Sequence, residues 1–402
     1  MPLSYTEKNM NPEYYEFFCS VKIISGKKAL SNLPYEMGLL GAGNAMIITD
    51  QGVVGAGLLE HVKAAFDGAT QKIGVVFDQT PIDSSVKVVN ELAALYREKK
   101  CDCVVAVGGG SCLDTAKGVN IVISEGNGDL MAFQGMDRLT AAPKPFIAIP
   151  TTAGTGSEVT AAAVIADTER GVKMPFISQK LYPHVALLDP RMTLTMPPRI
   201  TAATGMDALT HALEAYYGIQ KNPVSDSFSL TAIRLINRYL ITAVKNGADE
   251  QARMAMANAS LCAGIAFSNS MVGIVHALAH ATGGCCHVPH GVANTIYLPW
   301  GMEFNLEKRH EIIAELAPYF GVAAGGDPRA AASGVIRAVR DMRRELNAIC
   351  KLPLTLKDAG VDESKLEHIA KSSLDDGSIT YNPEEVTFED ALAILKKAWD
   401  KE

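Results

Sequence analysis

The sequence has no long run of basic residues and no long run of apolar residues. Lys and Arg number 37 against 44 Asp and Glu, which gives a net charge of −7, and no basic run is longer than a few residues. Proteins that bind nucleic acid normally carry a basic surface that neutralises phosphates, so nucleic acid is excluded as a partner. No stretch is long and apolar enough to cross a bilayer, so we expect no membrane partner either.

The first residues also lack the features of a secretory signal. MPLSYTEKNMNPEYYEF has charges scattered through it and no apolar core of signal-peptide length. The eight cysteines are spread through the chain, and only Cys101 with Cys103 and Cys285 with Cys286 are close in sequence. Without a second matched pair they do not form a zinc-binding pattern. We therefore expect reduced thiols in a cytoplasmic protein.

Short β-branched runs alternate with helical patterns in the first half of the chain. Strands are predicted at 45–49, 73–77, 103–107 and 145–149, with helices at 53–66 and 86–98 between them. Such alternation is typical of βαβ units, whose strands are parallel. The pattern predicts an amino-terminal α/β domain built on a parallel, Rossmann-like sheet.

Strand patterns end after VALLDP at 185–190, and Ala/Leu-rich, helix-compatible segments then follow one another to the end of the chain. We predict two domains on this basis, an α/β domain at 1–197 and an all-helical domain at 198–402. In a two-domain chain the cleft between the domains is the expected place for an active site.

A glycine triplet follows the predicted strand at 103–107. Gly108, Gly109 and Gly110 lack the side chains that would keep a pyrophosphate away from backbone N–H groups, and the start of a helix there would add partial positive charge. Ser111 can cap this helix, and Asp114 three residues later completes the spacing of a capping box, so part of the motif is compatible with simply starting a helix. The segment is neither a GxGxxG fingerprint nor a Walker loop, and a plain turn is an equal alternative.

Two further segments have the chemistry of a dinucleotide site. Asp50 follows the first predicted strand, where a carboxylate can accept hydrogen bonds from ribose hydroxyls and would repel the 2′-phosphate of NADP. A turn aspartate is the alternative for this position. The segment IPTTAGTGSEVT at 149–160 contains four threonines, one serine and two glycines, and its donors suit a nicotinamide or its phosphates.

Asp207 and His211 in the segment TGMDALTHALEAY are the first sign of a metal site. At positions i and i+4 they stand on one face of a predicted helix, one turn apart, as two ligands of one ion must. A surface hydrogen bond is the more common meaning of such a pair. The pair gains weight only from other ligands elsewhere in the chain.

Four of the nine histidines fall in IVHALAHATGGCCHVPHG at 274–291. His276 and His280 form the natural second i, i+4 pair. Glycines and Pro289 further on could instead break the helix and bring His290 back to the site, and spacing does not choose between these alternatives. Three imidazoles and one carboxylate would suit Fe(II) or Zn(II).

GGGSCLDTAK, PTTAGTGSEVT, GMDALTHALEAY and the H-x3-H-x9-H run ending PHGVANTIYLP occur in this order along nearly the whole chain. Together they resemble the iron-dependent alcohol dehydrogenases. The resemblance implies a dehydroquinate-synthase-like fold with the active site between an α/β domain and a helical domain. It also implies an enzyme that interconverts an alcohol and an aldehyde with NAD(H), assembled as a homodimer or larger homo-oligomer.

The resemblance also assigns roles to single residues. The family's metal ligands fall on Asp207, His211, His276 and His290, while His280 matches a histidine that approaches substrate and nicotinamide without binding the metal. The family's dinucleotide-binding positions fall on a larger set: Asp50, Gly109, Gly110, Ser111, Thr151, Thr152, Thr160 and Lys173. The match at Asp50 favours NAD(H), and the family implies Fe(II), with Zn(II) as the alternative.

A mechanism follows as a hypothesis. The metal would polarise the alcohol oxygen, a hydride would pass from carbon to the nicotinamide, and His280 would relay the hydroxyl proton towards solvent. A polyol dehydrogenase or lyase of the same superfold is the nearest alternative, and a non-catalytic nucleotide-binding protein is a remote one. A simple alcohol, a diol, lactaldehyde and a sulfonated aldehyde all remain open as substrates.

Two segments depart from the family pattern. One is GGCCHV, which contains Cys285, Cys286 and His287, and the other is MAFQGMD at 131–137. We expect both to shape the substrate pocket.

Overall fold

The computed structural model describes residues 12–126, 128–167, 172–323 and 325–402. Contacts within the chain divide it into two compact units at Pro197. Residues 18–196 form the first unit, and the residues from 197 onwards form the second together with the described residues 12–17. Within the second unit, the ring of Phe17 stacks on that of Phe228 with 5.9 Å between centroids.

The first unit is built on a parallel sheet. Its strands in chain order are β1 (Lys22–Ser25), β2 (Asn44–Ile48), β3 (Lys72–Phe77), β4 (Cys103–Gly108), β5 (Gly135–Met136), β6 (Phe146–Pro150), β7 (Ala162–Asp167), β8 (Val172–Ile177) and β9 (Val185–Leu188). Six of them form one sheet in the order β1-β9-β6-β4-β2-β3, and all neighbours in it are parallel. The predicted Rossmann-like sheet is thereby confirmed.

The helices of this unit are α1 (Leu33–Leu39), α2 (Gln51–Gly55), α3 (Leu58–Ala64), α4 (Val86–Glu98) and α5 (Gly110–Glu125). The single helix predicted at 53–66 is wrong, because the chain turns between α2 and α3. Gly57 lies there with a φ of 74°, a left-handed conformation that glycine adopts without the steric cost of a side chain.

Helices cover both faces of the sheet, as its central strand shows. Every residue of β4 is buried. Val104 lies in the same apolar cluster as Leu92 of α4, whereas Val105 belongs to a second cluster with Val62 of α3. Successive side chains of a strand point to opposite faces, so an uninterrupted apolar strand of this kind is typical of a sheet buried on both sides.

The parallel arrangement collects the predicted dinucleotide residues at one edge of the sheet. β4 lies between β2 and β6, with Ile48 opposite Ala106 and Gly108 opposite Pro150. The segments that follow these three strands therefore leave from the same edge. In open α/β sheets, ligands bind at this carboxyl edge of the strands.

A second, small sheet has the strand order β5-β8-β7. β7 and β8 are antiparallel, and β5 pairs with β8 in parallel. The strand β5 lies within MAFQGMD, which accordingly supplies a sheet edge. Lys173 belongs to β8, but its side chain lies outside the described residues.

The described part of the chain from 197 to 402 contains helices and no strand, as predicted. The helices are α6 (Pro198–Tyr217), α7 (Pro223–Lys245), α8 (Glu250–Ser270), α9 (Ile274–Cys286), α10 (His290–Phe304), α11 (Leu306–Ala314), α12 (Pro328–Cys350), α13 (Leu366–Ser373) and α14 (Phe388–Asp400). Among all described residues, no single helix has the length and apolar composition to cross a membrane. Only α8 and α9 taken together have this length and composition, and the two helices are bent by 104° relative to each other.

Candidate metal centre and dinucleotide site

Helix α6 positions the first two candidate ligands. It begins with Pro198 directly after Pro197. Proline is favoured in the first turn because its fixed φ suits a helix, and because an N–H at this position would have no partner within the helix. Asp207 and His211 follow on one face, and both are buried, with exposed fractions of 2% and 5%. The predicted i, i+4 geometry is present in the structure.

The two candidate ligands further along the chain lie on different helices. His276 is in the first turn of α9, and His290 is the first residue of α10. The glycines at 283–284 do not break α9, contrary to the expectation from sequence. The helix ends at Cys286 instead, where His287 takes a left-handed conformation with a φ of 56°, and Pro289 precedes the next helix.

Asp207, His211, His276 and His290 come together as one group. Each offers a ligand atom, and these four atoms all lie within 4.8 Å of one another. Three of the four residues are buried, while the side chain of His290 is 37% exposed. One carboxylate and three imidazoles at this spacing fit a divalent transition metal such as Fe(II) or Zn(II).

Glu214 is a member of this site that the sequence reasoning missed. Its Oε2 lies 2.5 Å from Nδ1 of His276, and its Oε1 accepts a hydrogen bond of 2.9 Å from the backbone N–H of Val275. Metal-binding histidines commonly donate their second nitrogen to a carboxylate in this way, which leaves Nε2 for the metal. Glu214 follows Asp207 by seven residues on α6, a helical spacing that could have identified it.

Burial shapes the charges of this pair. It raises the pKa of Glu214 to about 7, although hydrogen bonds from backbone N–H groups act to lower this pKa. Burial and the neighbouring histidines hold the pKa of His276 well below its usual range. The imidazole is therefore neutral at physiological pH, which is the form that binds a metal.

Asn294 is a second residue without a role in the sequence prediction. It lies one turn after His290 on α10 and is fully buried. Its Nδ2 donates to Oδ1 of Asp207 at 2.6 Å and lies 3.2 Å from Nε2 of His276 and 3.0 Å from Nε2 of His290. The amide thus contacts three of the four candidate ligands and restricts their positions.

His280 lies beside this group and is not part of it. Its ring stacks on that of His290 at 5.1 Å between centroids and meets the ring of His276 edge-on at 5.9 Å. Its Nδ1 lies 2.8 Å from Oδ2 of Asp376, a residue that the sequence reasoning also missed. The i, i+4 pair of His276 with His280, one of the two alternatives that spacing left open, is not the grouping in the structure.

In the first unit, the start of α5 differs from the prediction. Gly109 caps the helix through its backbone, so the expected cap at Ser111 is wrong. The Ser111 hydroxyl donates instead to the carbonyl of Ile82. Asp114, the expected partner in a capping box, instead accepts hydrogen bonds from the Ser157 hydroxyl at 2.9 Å and from the backbone N–H of Val164 at 3.0 Å.

Gly109 and Gly110 pack closely against the segment that follows β6. A Cβ added to Gly109 would lie 3.3 Å from the methyl group of Thr152, and one added to Gly110 would lie 3.1 Å from that of Thr155. Side chains at these positions would therefore push the two segments apart. The absence of side chains brings Thr152 next to the start of α5, where unpaired backbone N–H groups favour an anion.

The remaining residues of this segment are held by internal hydrogen bonds. The backbone N–H of Thr151 donates to the carbonyl of Gly108 at 3.0 Å. The hydroxyl of Thr160 accepts a hydrogen bond of 2.8 Å from Nζ of Lys117, and Thr160 is buried. Lys117 is fully buried and also donates to the Ser157 hydroxyl at 3.0 Å. Burial lowers the pKa of Lys117 to about 8.

Asp50 caps α2 and is also partly exposed. Its Oδ1 accepts a hydrogen bond of 2.9 Å from the backbone N–H of Val53, which is the role expected of a turn aspartate. The Cys112 thiol donates to the other oxygen, Oδ2, at 3.1 Å. The carboxylate is thus held at the carboxyl edge of the sheet by contacts from two elements.

Comparison with known proteins agrees with the fold. The sequence pattern described as "Iron-containing alcohol dehydrogenase" matches residues 20–190, and that of "Fe-containing alcohol dehydrogenase family, C-terminal" matches residues 201–399. The chain belongs to the iron-containing alcohol dehydrogenase family. The resemblance identified from the sequence is therefore confirmed.

Three members of the family illustrate the similarity. The NAD-dependent methanol dehydrogenase of Bacillus methanolicus is 37% identical over 95% of this chain and 99% of its own length. The 1,3-propanediol dehydrogenase of Klebsiella pneumoniae is 38% identical over 93% of this chain and 96% of its own length. A crystal structure of 1,3-propanediol oxidoreductase superposes with a TM-score of 0.93 at 36% identity, covering 96% of this chain and 100% of that one.

The Glu214 contact generates a prediction about metal binding. In Glu214→Gln, the amide oxygen keeps the hydrogen bond from the Val275 N–H and the amide NH₂ then faces Nδ1 of His276. The imidazole must then carry its proton on Nε2, which blocks a metal ligand. We expect the affinity for divalent metal to fall about 10–100-fold, measured by titration of metal-depleted protein.

Glu315→Gln is the matched control, because Glu315 also accepts a hydrogen bond from a ring group of α6, the hydroxyl of Tyr216 at 2.6 Å. That variant should bind metal as the unaltered protein does. A Glu214→Gln protein that is folded and binds metal with unchanged affinity would show that this carboxylate does not orient His276 for a metal.

Proposed function

We propose that this chain interconverts an alcohol and an aldehyde by hydride transfer with NAD(H), and that Asp207, His211, His276 and His290 hold the metal that the reaction uses. The buried group of three imidazoles and one carboxylate carries the proposal. A lone polar cluster of this kind would be costly to bury without a cation. The relatives named for methanol and for 1,3-propanediol point to a small primary alcohol or diol as the substrate.

We assign Fe(II) to the site, in agreement with the family, and the same donors would accept Zn(II). A divalent ion bound there supplies Lewis-acid polarisation of the substrate oxygen. The protein's own contribution is the geometry of the donors. Glu214 holds His276 with Nε2 available, and Asn294 donates to Asp207, so that two of the four donors are fixed by partners of their own.

His280 is the proposed proton carrier. It lies next to His276 and His290, and its side chain is 42% exposed, so a proton taken up near the donor cluster can leave to solvent. In the oxidation, the hydroxyl O–H bond of the alcohol breaks and the proton passes to His280, while the hydride passes from carbon to the nicotinamide. Reduction of the aldehyde reverses both transfers.

The proposed dinucleotide site lies at the carboxyl edge of the parallel sheet. The backbone N–H groups at Gly108 to Ser111 would bind the pyrophosphate at the start of α5, with Thr151 and Thr152 alongside. Thr160, whose hydroxyl is engaged by Lys117, would act by shaping this segment. Asp50 would accept hydrogen bonds from the ribose hydroxyls.

The function is tested with protein purified without oxygen and loaded with Fe(II). We expect NADH formation from a panel of primary alcohols and diols, followed by its absorbance. His276→Ala should lose bound metal and turnover together, by more than the ~100-fold that loss of an outer partner typically causes. His368→Ala, a substitution at an exposed histidine of α13, is the control. Stoichiometric metal in the His276→Ala protein would contradict the ligand assignment.

Cofactor preference gives an independent test at Asp50. Asp50→Gly removes the charge that repels a 2′-phosphate, and we expect the ratio of kcat/KM for NADP over NAD to rise about tenfold, or about 1.4 kcal/mol. Asp50→Ser should act in the same direction, because serine keeps the cap of α2 but carries no charge. An unchanged preference in both variants would show that Asp50 does not face the ribose.

We infer further that the chain acts in the cytoplasm as a homodimer or larger homo-oligomer. Its eight cysteines are all free thiols, which is typical of a reducing compartment. Phe18 and Ile23 are each 39% exposed, on or next to the edge strand β1. Exposed apolar side chains on an open edge favour association of chains. Light scattering in solution should show at least a dimer, and a monomer at micromolar concentration would contradict this inference.

A further inference from the structure

One nitrogen of the His280 ring already has a partner. Nδ1 lies 2.8 Å from Oδ2 of Asp376, which comes 96 residues later in the chain. Both side chains are in the helical unit, with exposed fractions of 42% for His280 and 22% for Asp376.

Asp376 is itself fixed in place. It caps the short 3-10 helix Gly377–Tyr381, and its Oδ1 accepts a hydrogen bond of 2.8 Å from the backbone N–H of Ser378. Each carboxylate oxygen therefore has its own donor, which prevents rotation of the group. Although burial acts to raise it, the hydrogen bonds from His280 and Ser378 hold the pKa of Asp376 below its usual range, so the group is ionised.

An ionised carboxylate accepts hydrogen bonds and donates none. The nitrogen of His280 that faces Asp376 must therefore carry a proton. In the neutral ring the lone pair is then on Nε2, which lies on the side of the imidazole away from Asp376. The contact also restricts the ring to one orientation. Without it, an exposed histidine would sample several rotamers.

We propose that Asp376 is a positioning residue that keeps His280 in the Nδ1-protonated form, so that Nε2 is the atom that exchanges the substrate proton. The catalytic part of this proposal rests on the proposed function. In the oxidation, the O–H bond of the alcohol breaks and an N–H bond forms at Nε2, directly or through an intervening hydroxyl or water. The resulting imidazolium is next to a carboxylate, which stabilises its charge. In the reduction Nε2 returns the proton.

Asp376→Asn separates this role from a merely structural one. The Ser378 N–H needs an acceptor, so the amide oxygen keeps that bond and the amide NH₂ faces Nδ1 of His280. An NH₂ group is a donor, and Nδ1 must then accept. The substitution thus preserves the shape of the pair and inverts the tautomer of the ring, leaving Nε2 protonated and unable to accept a proton.

The first measurement is the tautomer itself. In protein labelled with ¹⁵N-histidine, the signals of His280 are identified by their absence in His280→Ala. We expect the Nδ1-protonated form in the unaltered protein and the Nε2-protonated form in Asp376→Asn. The same tautomer in both proteins would overturn the proposal, and this result does not depend on any activity.

The second measurement is turnover. A positioned acid or base typically contributes about 10²–10⁴-fold, and we expect kcat for alcohol oxidation to fall in this range in Asp376→Asn, with bound metal and the KM for NAD unchanged. In a His280→Ala background the same substitution should add less than about twofold, because the two residues act as one unit. Independent, multiplicative losses would overturn the proposal.

Asp362→Asn is the matched control. Asp362 caps another short 3-10 helix, Glu363–Lys365, and accepts a hydrogen bond of 2.8 Å from the N–H of Ser364. Asp362 therefore caps its helix as Asp376 does, but it is exposed, and none of its described hydrogen bonds involves a histidine. Asp362→Asn should match the unaltered protein in turnover. Thermal unfolding of Asp362→Asn and Asp376→Asn shows whether loss of a capping carboxylate by itself lowers stability.

If the unaltered protein does not oxidise alcohols with NAD, the proposed function fails, whereas the tautomer measurement still decides the role of Asp376.

Discussion

The hydrogen bond between Glu214 and His276 joins two of the three helices that carry the candidate metal ligands. Glu214 lies near the end of α6, and its carboxylate meets the first turn of α9. A buried carboxylate is costly unless it is hydrogen-bonded, and here backbone N–H groups at the start of a helix supply the donors. Gly273 permits this approach, since an added Cβ would lie 3.1 Å from Oε1.

Fixing this one carboxylate determines much of the cluster. It sets the rotation of His276. Nδ2 of Asn294 lies within 3.2 Å of Nε2 of His276, of Oδ1 of Asp207 and of Nε2 of His290. His211 is held by packing, with its ring 4.4 Å from that of His276. The arrangement of four donors from three helices is thus supported by contacts at the start of α9 and by Asn294 of α10.

The structure uses a second carboxylate–imidazole pair differently. The pair of Glu214 and His276 is almost fully buried, whereas His280 in its pair with Asp376 is half exposed. Burial favours the neutral form of His276, whereas the ring of His280 is in contact with water. Two histidines one turn apart on α9 therefore differ in chemistry because their environments differ.

Local spacing in the sequence was sufficient for part of the fold and site. The predicted strands at 45–49, 73–77, 103–107 and 145–149 overlap β2, β3, β4 and β6. The alternation of β-branched and helical runs carries this signal. The small sheet was not predicted, because β5 has only two residues and neither the alanine-rich β7 nor the proline-containing β8 has an uninterrupted β-branched run.

Contacts between helices are where the sequence reasoning failed. Spacing identified Asp207 with His211 and could have added Glu214, because all three share one helix face. The same rule paired His276 with His280, and only the family pattern replaced His280 by His290. Helical periodicity describes neighbours on one helix. The grouping of His276 with His290 depends on where α9 ends, which is at Cys286 and not at the glycines.

The glycine triplet shows how one pattern can have two physical causes. In the sequence, Gly109 and Gly110 are explained by a ligand, because the absence of side chains leaves space for a pyrophosphate. The structure gives a second reason, since the same positions admit Thr152 and Thr155. The two reasons are compatible, because the same absence of side chains brings Thr152 and Thr155 close to the start of α5. A side chain at either glycine would therefore displace the segment that follows β6.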